Sequence, residues 1–491
     1  MYISTRFKFK DYNFGFADSE TEFNRNPETF KEAFYDPKNI VESLINENEF
    51  ILIGNKGAGK TAYSAKIRSL INSTENLNAH QVSLSNFDFD VFSNLSRDNY
   101  DGSQKFKLAW DITLLIELYK FLNKYADYSS IDSFLNITEF LKVNNLMNLN
   151  SINSTVRRFT NMEINIKEYF KFSSERRKST ISDYSLSGLS DYFKESLCDI
   201  DFNGTKNLLI IDGLDDILRY EKSKIEILSG LFRSISQLNN DLYQNNIPIK
   251  IIILAREDIL ASITDPDFNK IKRDGGIKLN WNANELMEIV KLRFFISGVK
   301  EDKLDTQWYE MFPRTINKKD SFQYILQYTL SKPRDILQFL KQCKQEFPNE
   351  SFLDFKNLRQ VITQYSVSYF YEEMKNELSG FIDDDDIDNL ELVFIDIGRI
   401  DFTYNRFLYV AKKYFKNKED NYIRKTFNIL YDNSYIGQII TTPSYSKKTK
   451  KKVINSRVVF KHKEPNMKIN QANKFTLHKG IYKAFNMDFQ R

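Results

Sequence analysis

The segment Gly54-Asn55-Lys56-Gly57-Ala58-Gly59-Lys60-Thr61 has the residue types and the G-x-x-x-x-G-K-[S/T] spacing of a phosphate-cradling loop. Glycines let successive backbone N–H groups turn inward onto phosphate oxygens. A helix starting where the loop ends adds the positive end of its dipole. In that arrangement Lys60 reaches the β- and γ-phosphates and the Thr61 hydroxyl binds Mg²⁺. The chemistry so specified is phosphoryl transfer from ATP with Mg²⁺. The competing reading is a plain glycine turn between a strand and a helix.

An acidic group follows the apolar run 208–211: Asp212, then Asp215 and Asp216. An aspartate leaving a buried strand beside a phosphate loop is placed to hold the Mg²⁺ shell. Asp215 or Asp216 would then orient or deprotonate the attacking water, and the sequence leaves that choice open. Strands also end in Asp for turn reasons alone. Arg256 follows a third apolar run, 249–254, and is a candidate sensor of the γ-phosphate by bidentate contact. Its alternative is a surface salt bridge to Glu257 or Asp258.

Bringing these groups together requires a buried sheet. The runs 50–53, 208–211, 249–254 and 277–279 are strand-sized and apolar, and helical patterns separate them. That order predicts a parallel α/β sheet. From about 85 to 200 the chain is Asn/Ser-rich, with helical spacing over 108–122 and 185–197. From 284 to 380 the signal is helical, with amphipathic stretches around Leu286, Ile289 and Val290 and around Ile336, Phe339 and Leu340. The acidic segment 381–387 reads as a break and a solvated loop. After it come three helical stretches, 390–397, 405–415 and 422–431, and a strand-like run at 436–440. Two further strands, 457–460 and 474–477, are expected to be joined by a polar, lysine-bearing loop, which completes the winged-helix order. The expected architecture is therefore α/β: a P-loop NTPase parallel sheet over 1–283 with a helical insertion at about 85–200, a helical lid over 284–380, and a winged-helix domain with a basic wing over 381–491.

Composition narrows the partners. The chain has 491 residues, 41% apolar and 28% charged, an ordinary globular balance. No apolar run approaches the roughly 18 residues of a membrane span, and the N-terminus lacks an apolar signal core, so a cytoplasmic protein is expected. Two cysteines and three histidines exclude a disulfide scaffold and argue against zinc. Net charge is +4, unevenly spread: 441–491 holds 13 Lys and Arg against two acids, a net of +11, while the remaining 57 bases and 64 acids give −7. A basic tail on an acidic body suggests a polyanion, and double-stranded DNA on the Lys447–Lys452 wing is the candidate. A solvated basic surface is the alternative.

The phosphate loop, Leu208-Leu-Ile-Ile-Asp-Gly-Leu-Asp-Asp216 and Arg256 resemble signal-transduction ATPases with numerous domains (STAND), a branch near the AAA+ proteins. Lys332-Pro333-Arg334-Asp335 resembles the lid motif of STAND and origin-recognition-like ATPases. That resemblance implies nucleotide contact from Pro333 or Arg334. More narrowly, 14–22, 54–61, 212–216, 332–335 and 477–486 resemble a bacterial P-loop ATPase family ending in a winged helix. Some relatives act in anti-phage defence. In AAA+ rings the position of Arg273 can complete a neighbour's site. Its alternative here is a cation at a helix C-terminus before a glycine stop. The resemblance implies an ATP-controlled molecular switch acting with a homo-oligomer or partner protein. A second reading is a DNA-binding AAA+-like ATPase that loads on or remodels nucleic acid. A third is a nucleotide-stabilised scaffold, against which the intact Lys60, Thr61 and Asp212 stand.

Overall fold

Continuous Ile/Leu/Val runs can be buried on both faces, and in this chain they pair side by side as a parallel sheet. The strands are β1 (Ile51–Ile53), β2 (Leu77–Ser83), β3 (Lys206–Asp212), β4 (Ile249–Ala255) and β5 (Gly276–Lys278). Their order is β2-β3-β4-β1-β5, with every pairing parallel. The fold class is α/β, as expected. The computed structural model describes residues 6–71, 74–85, 87–93, 103–125, 128, 130–160, 186–214, 222–398, 401–446 and 451–487. Asp215 and Asp216 lie outside the described residues, as do 447–450.

Contacts divide the chain into two units, Ser19–Asn280 and a second built from Met1–Asp18 with Trp281–Arg491. The expected sheet domain began at residue 1. Residues 9–13 instead bond within the second unit: the Phe9 and Lys10 amides donate to the carbonyls of Glu350 and Pro348, each at 2.9 Å. The Tyr12 hydroxyl, fully buried, accepts from Gln307 at 2.7 Å.

In the sheet unit, β2 was not foreseen. Its sequence Leu-Asn-Ala-His-Gln-Val-Ser is less than half apolar, because it is an edge strand that buries only Leu77, Ala79 and Val82. The Asn/Ser-rich region forms helices Phe89–Ser93, Ser103–Tyr125, Asp132–Val143, Ile152–Thr160 and Leu186–Cys198. Their apolar side chains join the core of the sheet, with Trp110 donating to the Ile227 carbonyl at 2.9 Å and Tyr119 to that of Phe193 at 2.9 Å. Arg273 stands in the last turn of helix Phe268–Gly275 with its side chain 80% exposed.

The second unit opens with helices Ala283–Ile296, Leu304–Met311, Ser321–Leu326 and Pro333–Glu346. A short antiparallel pair, β6 (Thr315–Ile316) and β7 (Lys319–Asp320), sits among them. Helix Phe355–Tyr365 then runs through a π turn, Ser366–Phe370, into helix Tyr371–Leu378. The acidic run is not a loop: Asp383 is the N-cap and Asp384–Asp386 form the first turn of helix Asp384–Ile397. Carboxylates are favoured there by the helix dipole.

Next come β8 (Phe402–Thr403), helices Tyr404–Tyr414 and Asp420–Asp432, β9 (Ile436–Ser446), β10 (Lys451–Val459), β11 (Lys474–Leu477) and helix Lys479–Ala484. The sheet order is β10-β9-β11-β8, all antiparallel. The two strands expected to form a ribbon, 457–460 and 474–477, do not pair with each other. Both flank β9, which is longer than its apolar run because Thr441 to Ser446 continue the ladder with β10. Among the described residues no helix is long and apolar enough to cross a membrane.

Candidate nucleotide site

Parallel strands end at one edge, so the sheet order decides what can meet there. β4 lies between β1 and β3, with Ile53 level with Ala255 and Ile211 level with Ile253. The ends of β1, β4 and β3 therefore present Gly54, Arg256 and Asp212 along one edge.

The loop leaves β1 at Gly54, whose amide donates to the Ala255 carbonyl at 3.1 Å. Gly59 has φ +103° and is the N-cap of helix Lys60–Ser69. That left-handed conformation is open to glycine at little cost. Ala58 is buried, and its amide donates to the Asn55 carbonyl at 3.1 Å, while Asn55 is exposed and Lys56 and Gly57 are half-buried.

Lys60 is buried. Its ammonium donates to the Gly54 carbonyl at 3.0 Å and to that of Asn55 at 3.3 Å, so it is folded over the loop. Thr61 Oγ1 donates to Asp212 Oδ2 at 3.1 Å, and the Gly213 amide donates to Asp212 Oδ1 at 2.7 Å. The two residues expected to hold Mg²⁺ are therefore adjacent, though 151 positions apart in sequence. Oxygens occupying neighbouring positions on an octahedral Mg²⁺ stand about 3 Å apart. The Thr61–Asp212 spacing fits such a pair.

Arg256 is the N-cap of helix Glu257–Ser262 and is only 6% exposed. Its guanidinium forks onto the Asp258 carboxylate, with Nε to Oδ1 at 3.0 Å. The salt bridge expected as the alternative is thus present with Asp258, the guanidinium buried and the carboxylate half-buried. Glu257 pairs with Lys278.

Three groups around Asp212 went unnoticed in the sequence because β2 did. Ser83 is level with Asp212, the Leu84 amide donates to the Asp212 carbonyl at 2.7 Å, and Ser83 Oγ donates to Ser85 Oγ at 3.0 Å. The only available signal was the short alternation of Leu77 and Ala79, broken before Val82. Pro333 and Arg334 lie in the second unit: Pro333 opens helix Pro333–Glu346, and the Arg334 guanidinium pairs with Glu373 at 3.5 Å.

Comparison with known proteins adds a matching domain, a distant relative and loose structural neighbours. The family model described as the FunZ-associated C-terminal helical domain matches residues 284–372. Over 366 residues the chain is 21% identical to the "Putative transposon gamma-delta 80.3 kDa protein" of Escherichia coli (strain K12), covering 72% of this chain and 49% of that protein. The chain thus spans about half the length of that relative. Among solved structures, Cdc6p from Pyrobaculum aerophilum aligns with 97% of this chain and 98% of its own at 11% identity and a TM-score of 0.32. The Aeropyrum pernix ORC2 protein, solved as ADPNP-ADP complexes, aligns with 94% and 98% at 11% identity and a TM-score of 0.42. At such distances the site assignment rests on the chain's own strand order and loop geometry.

Proposed function

We propose that the chain is a Mg²⁺-dependent ATPase that works as a nucleotide-controlled molecular switch. The observation that carries this reading is the pairing of Thr61 with Asp212 at the foot of a phosphate loop over which Lys60 is folded. The loop backbone and Lys60 bind and orient the β- and γ-phosphates, while Thr61 and Asp212 hold the metal. Mg²⁺, when bound, neutralises charge that builds on the transferring phosphoryl group. Asp215 or Asp216 takes the proton of the attacking water on a carboxylate oxygen. Arg256, held ready by Asp258, exchanges that carboxylate for the γ-phosphate. From the resemblance, Pro333 and Arg334 are assigned to nucleotide contact; the same resemblance alone carries a role in anti-phage defence and assembly with a like or unlike chain. The test is steady-state ATP turnover with and without Mg²⁺ in the wild type and in Lys60→Ala. Equal turnover in both proteins sinks the reading.

A second reading is a DNA-acting ATPase with a C-terminal winged helix. The net +11 from 441 to 491 supports it, as does the exposure of Arg424 and Lys425 on helix Asp420–Asp432. The relative's name ties it to a transposon, a DNA element, which points the same way. DNA-stimulated turnover would favour this reading; turnover indifferent to DNA favours the switch.

A further inference from the structure

A cavity of about 470 Å³ opens in the sheet unit, and none of the residues lining it belongs to the nucleotide site. Its walls come from helices Ser103–Tyr125 and Leu186–Cys198 of the Asn/Ser-rich region, and from helices Lys222–Gln244 and Phe268–Gly275. Small-molecule sites span about 300–1,000 Å³, so the volume is that of a ligand pocket.

Three of these helices each bring one cation to the cavity: Lys107, Lys194 and Arg233. Each cation is fixed by carboxylates. The Lys107 ammonium donates to Asp111 Oδ2 at 2.7 Å. Lys194 pairs with Asp191 at 2.8 Å and with Asp241 at 3.7 Å. Arg233 forks onto Asp265, Nε to Oδ2 at 2.6 Å and Nη2 to Oδ1 at 2.5 Å, and Nη2 also reaches Asp267 at 2.8 Å. Burial pulls the Lys194 ammonium down, but Asp191, Asp241 and Asp111 outweigh it and hold its pKa above the ordinary lysine value. The bonds to Asp265 likewise raise Arg233. The cations are therefore charged and held in place before any ligand arrives.

Their donors are not used up. An ammonium carries three N–H groups, and Lys107 spends one on Asp111. The hydrogen bonds of Arg233 use Nε and Nη2, which leaves Nη1 over. Two carboxylates also line the cavity. Both oxygens of Asp111 are taken, Oδ1 accepting from Ser234 at 2.5 Å, and the Asp191 side chain is 57% exposed and open to solvent. The unspent capacity is thus mostly donor. Ser190 adds to it. It lines the cavity, it is only 2% exposed, and its hydroxyl has no hydrogen-bond partner. Native proteins leave few such groups, and each calls for a partner that the chain itself does not supply.

We propose that this cavity binds a small phosphomonoester, its phosphate held between Lys107, Lys194, Arg233 and the Ser190 hydroxyl. A phosphate presents three terminal oxygens to converging donors, where a carboxylate presents two. At about 30 Å³ for a water-sized group, the five heavy atoms of a bare phosphate fill roughly a third of the volume. The rest, walled by Leu108 and Ile271 with Ser236 and Gln237, suits the polar body of a sugar. Such an occupant ties two helices of the Asn/Ser-rich region to helix Lys222–Gln244. The site stands apart from the ATP reading and does not depend on it.

The test is titration calorimetry of the full chain without nucleotide. The probes are glucose 6-phosphate, ribose 5-phosphate and inorganic phosphate, with glucose and ribose as controls. At least one sugar phosphate should bind more tightly than inorganic phosphate, and the free sugars should not bind. Lys194→Gln removes a charge-assisted contact and should weaken binding at least about tenfold; Ser190→Ala removes a neutral one and should weaken it about fivefold. Lys60→Ala should leave it within about twofold. Binding lost in Lys60→Ala but kept in the other two variants would put the anion on the phosphate loop, overturning this site while leaving the ATP reading intact. Inorganic phosphate binding as tightly as both sugar phosphates would overturn the assignment of a phosphomonoester. No heat from any probe at about 10 mM, enough to reveal millimolar affinity, would overturn the site itself. Thermal melts of Ser190→Ala complete the test: a hydroxyl that only holds a buried water would shift the melt and leave affinity unchanged, which would overturn its part in binding.

Discussion

Gly213 follows Asp212, and its replacement by alanine separates metal positioning from phosphate binding. Its φ is +89°, a region that costs a residue with a Cβ roughly 1–2 kcal/mol. Steric overlap adds to this. A Cβ at 213 would meet Ser85 Oγ at 2.6 Å, the Ser85 amide nitrogen at 2.7 Å and Ser83 Oγ at 2.8 Å. The hydroxyls can rotate, but the amide nitrogen is backbone and cannot step aside. Overpacking of this kind costs about 1–3 kcal/mol, so the total is on the order of 2–5 kcal/mol. The cheapest relief is a shift of the 212–213 turn, which moves Asp212 off Thr61. Displacements approaching 1 Å at a reacting centre cost about a hundredfold in rate. Gly213→Ala should therefore hydrolyse ATP about a hundredfold more slowly, while ATP affinity, held by residues 54–61, changes less than about threefold. Gly59→Ala is the contrast. Its φ is +103° but nothing lies within 4 Å of a Cβ there, so only backbone strain acts, and the loss should appear in affinity. The assays are steady-state turnover and fluorescent-nucleotide titration, with circular dichroism to confirm folding. A folded Gly213→Ala protein turning over within threefold of the wild type would refute the reasoning.

Lys60→Ala removes the cation folded over Gly54 and Asn55, and nucleotide affinity or turnover should fall at least tenfold, about 1.4 kcal/mol. Asp215→Asn and Asp216→Asn should separate the proton acceptor from its neighbour: the variant that keeps ATP bound but loses turnover identifies it, and normal rates in both would show neither acts. Neutralising Lys447, Lys448, Lys450, Lys451 and Lys452 should weaken binding to all duplex sequences alike, lowering the slope of log affinity against log salt by about 0.9 per lost phosphate contact. A wild type without duplex affinity at about 50 mM salt ends the nucleic-acid reading. His80 is held down to about 4, first by burial and then by Lys124, Lys120 and Arg68. Below about pH 6.5 its ring charges on unfolding but not in the folded chain, so this group costs the sheet unit nothing above that pH and destabilises it progressively as pH falls towards 4. Relative to His80→Phe, wild-type urea melts should lose on the order of 1–2 kcal/mol more between pH 7 and 4.5; equal losses would count against the shift.

How much of this was legible depended on whether a residue's role is local. The phosphate loop announces itself because eight consecutive residues carry all its chemistry, and β1, β3 and β4 because a buried parallel strand carries an apolar run, here 51–53, 208–211 and 251–255. β2 escaped because an edge strand needs only a partial apolar face, and with it went Ser83 and Ser85, whose closeness to Gly213 exists only once β2 pairs with β3. The acidic run at 383–386 shows a second limit. Four aspartates read as a solvated break by charge count, yet three form a helix's first turn, and Asp386 is buried beside Lys418. Charge counting ignores position, whereas the dipole acts through position alone. The buried hydrogen bonds that Lys332 and Tyr435 give to Glu377 were the least legible, since the partners are 45 and 58 residues apart and none belongs to a recurring motif with the others. Residues that act by pairing across such distances leave no spacing to read. The same property makes them separable by experiment: a hydroxyl can be removed at Tyr435 without touching a single residue of the phosphate loop.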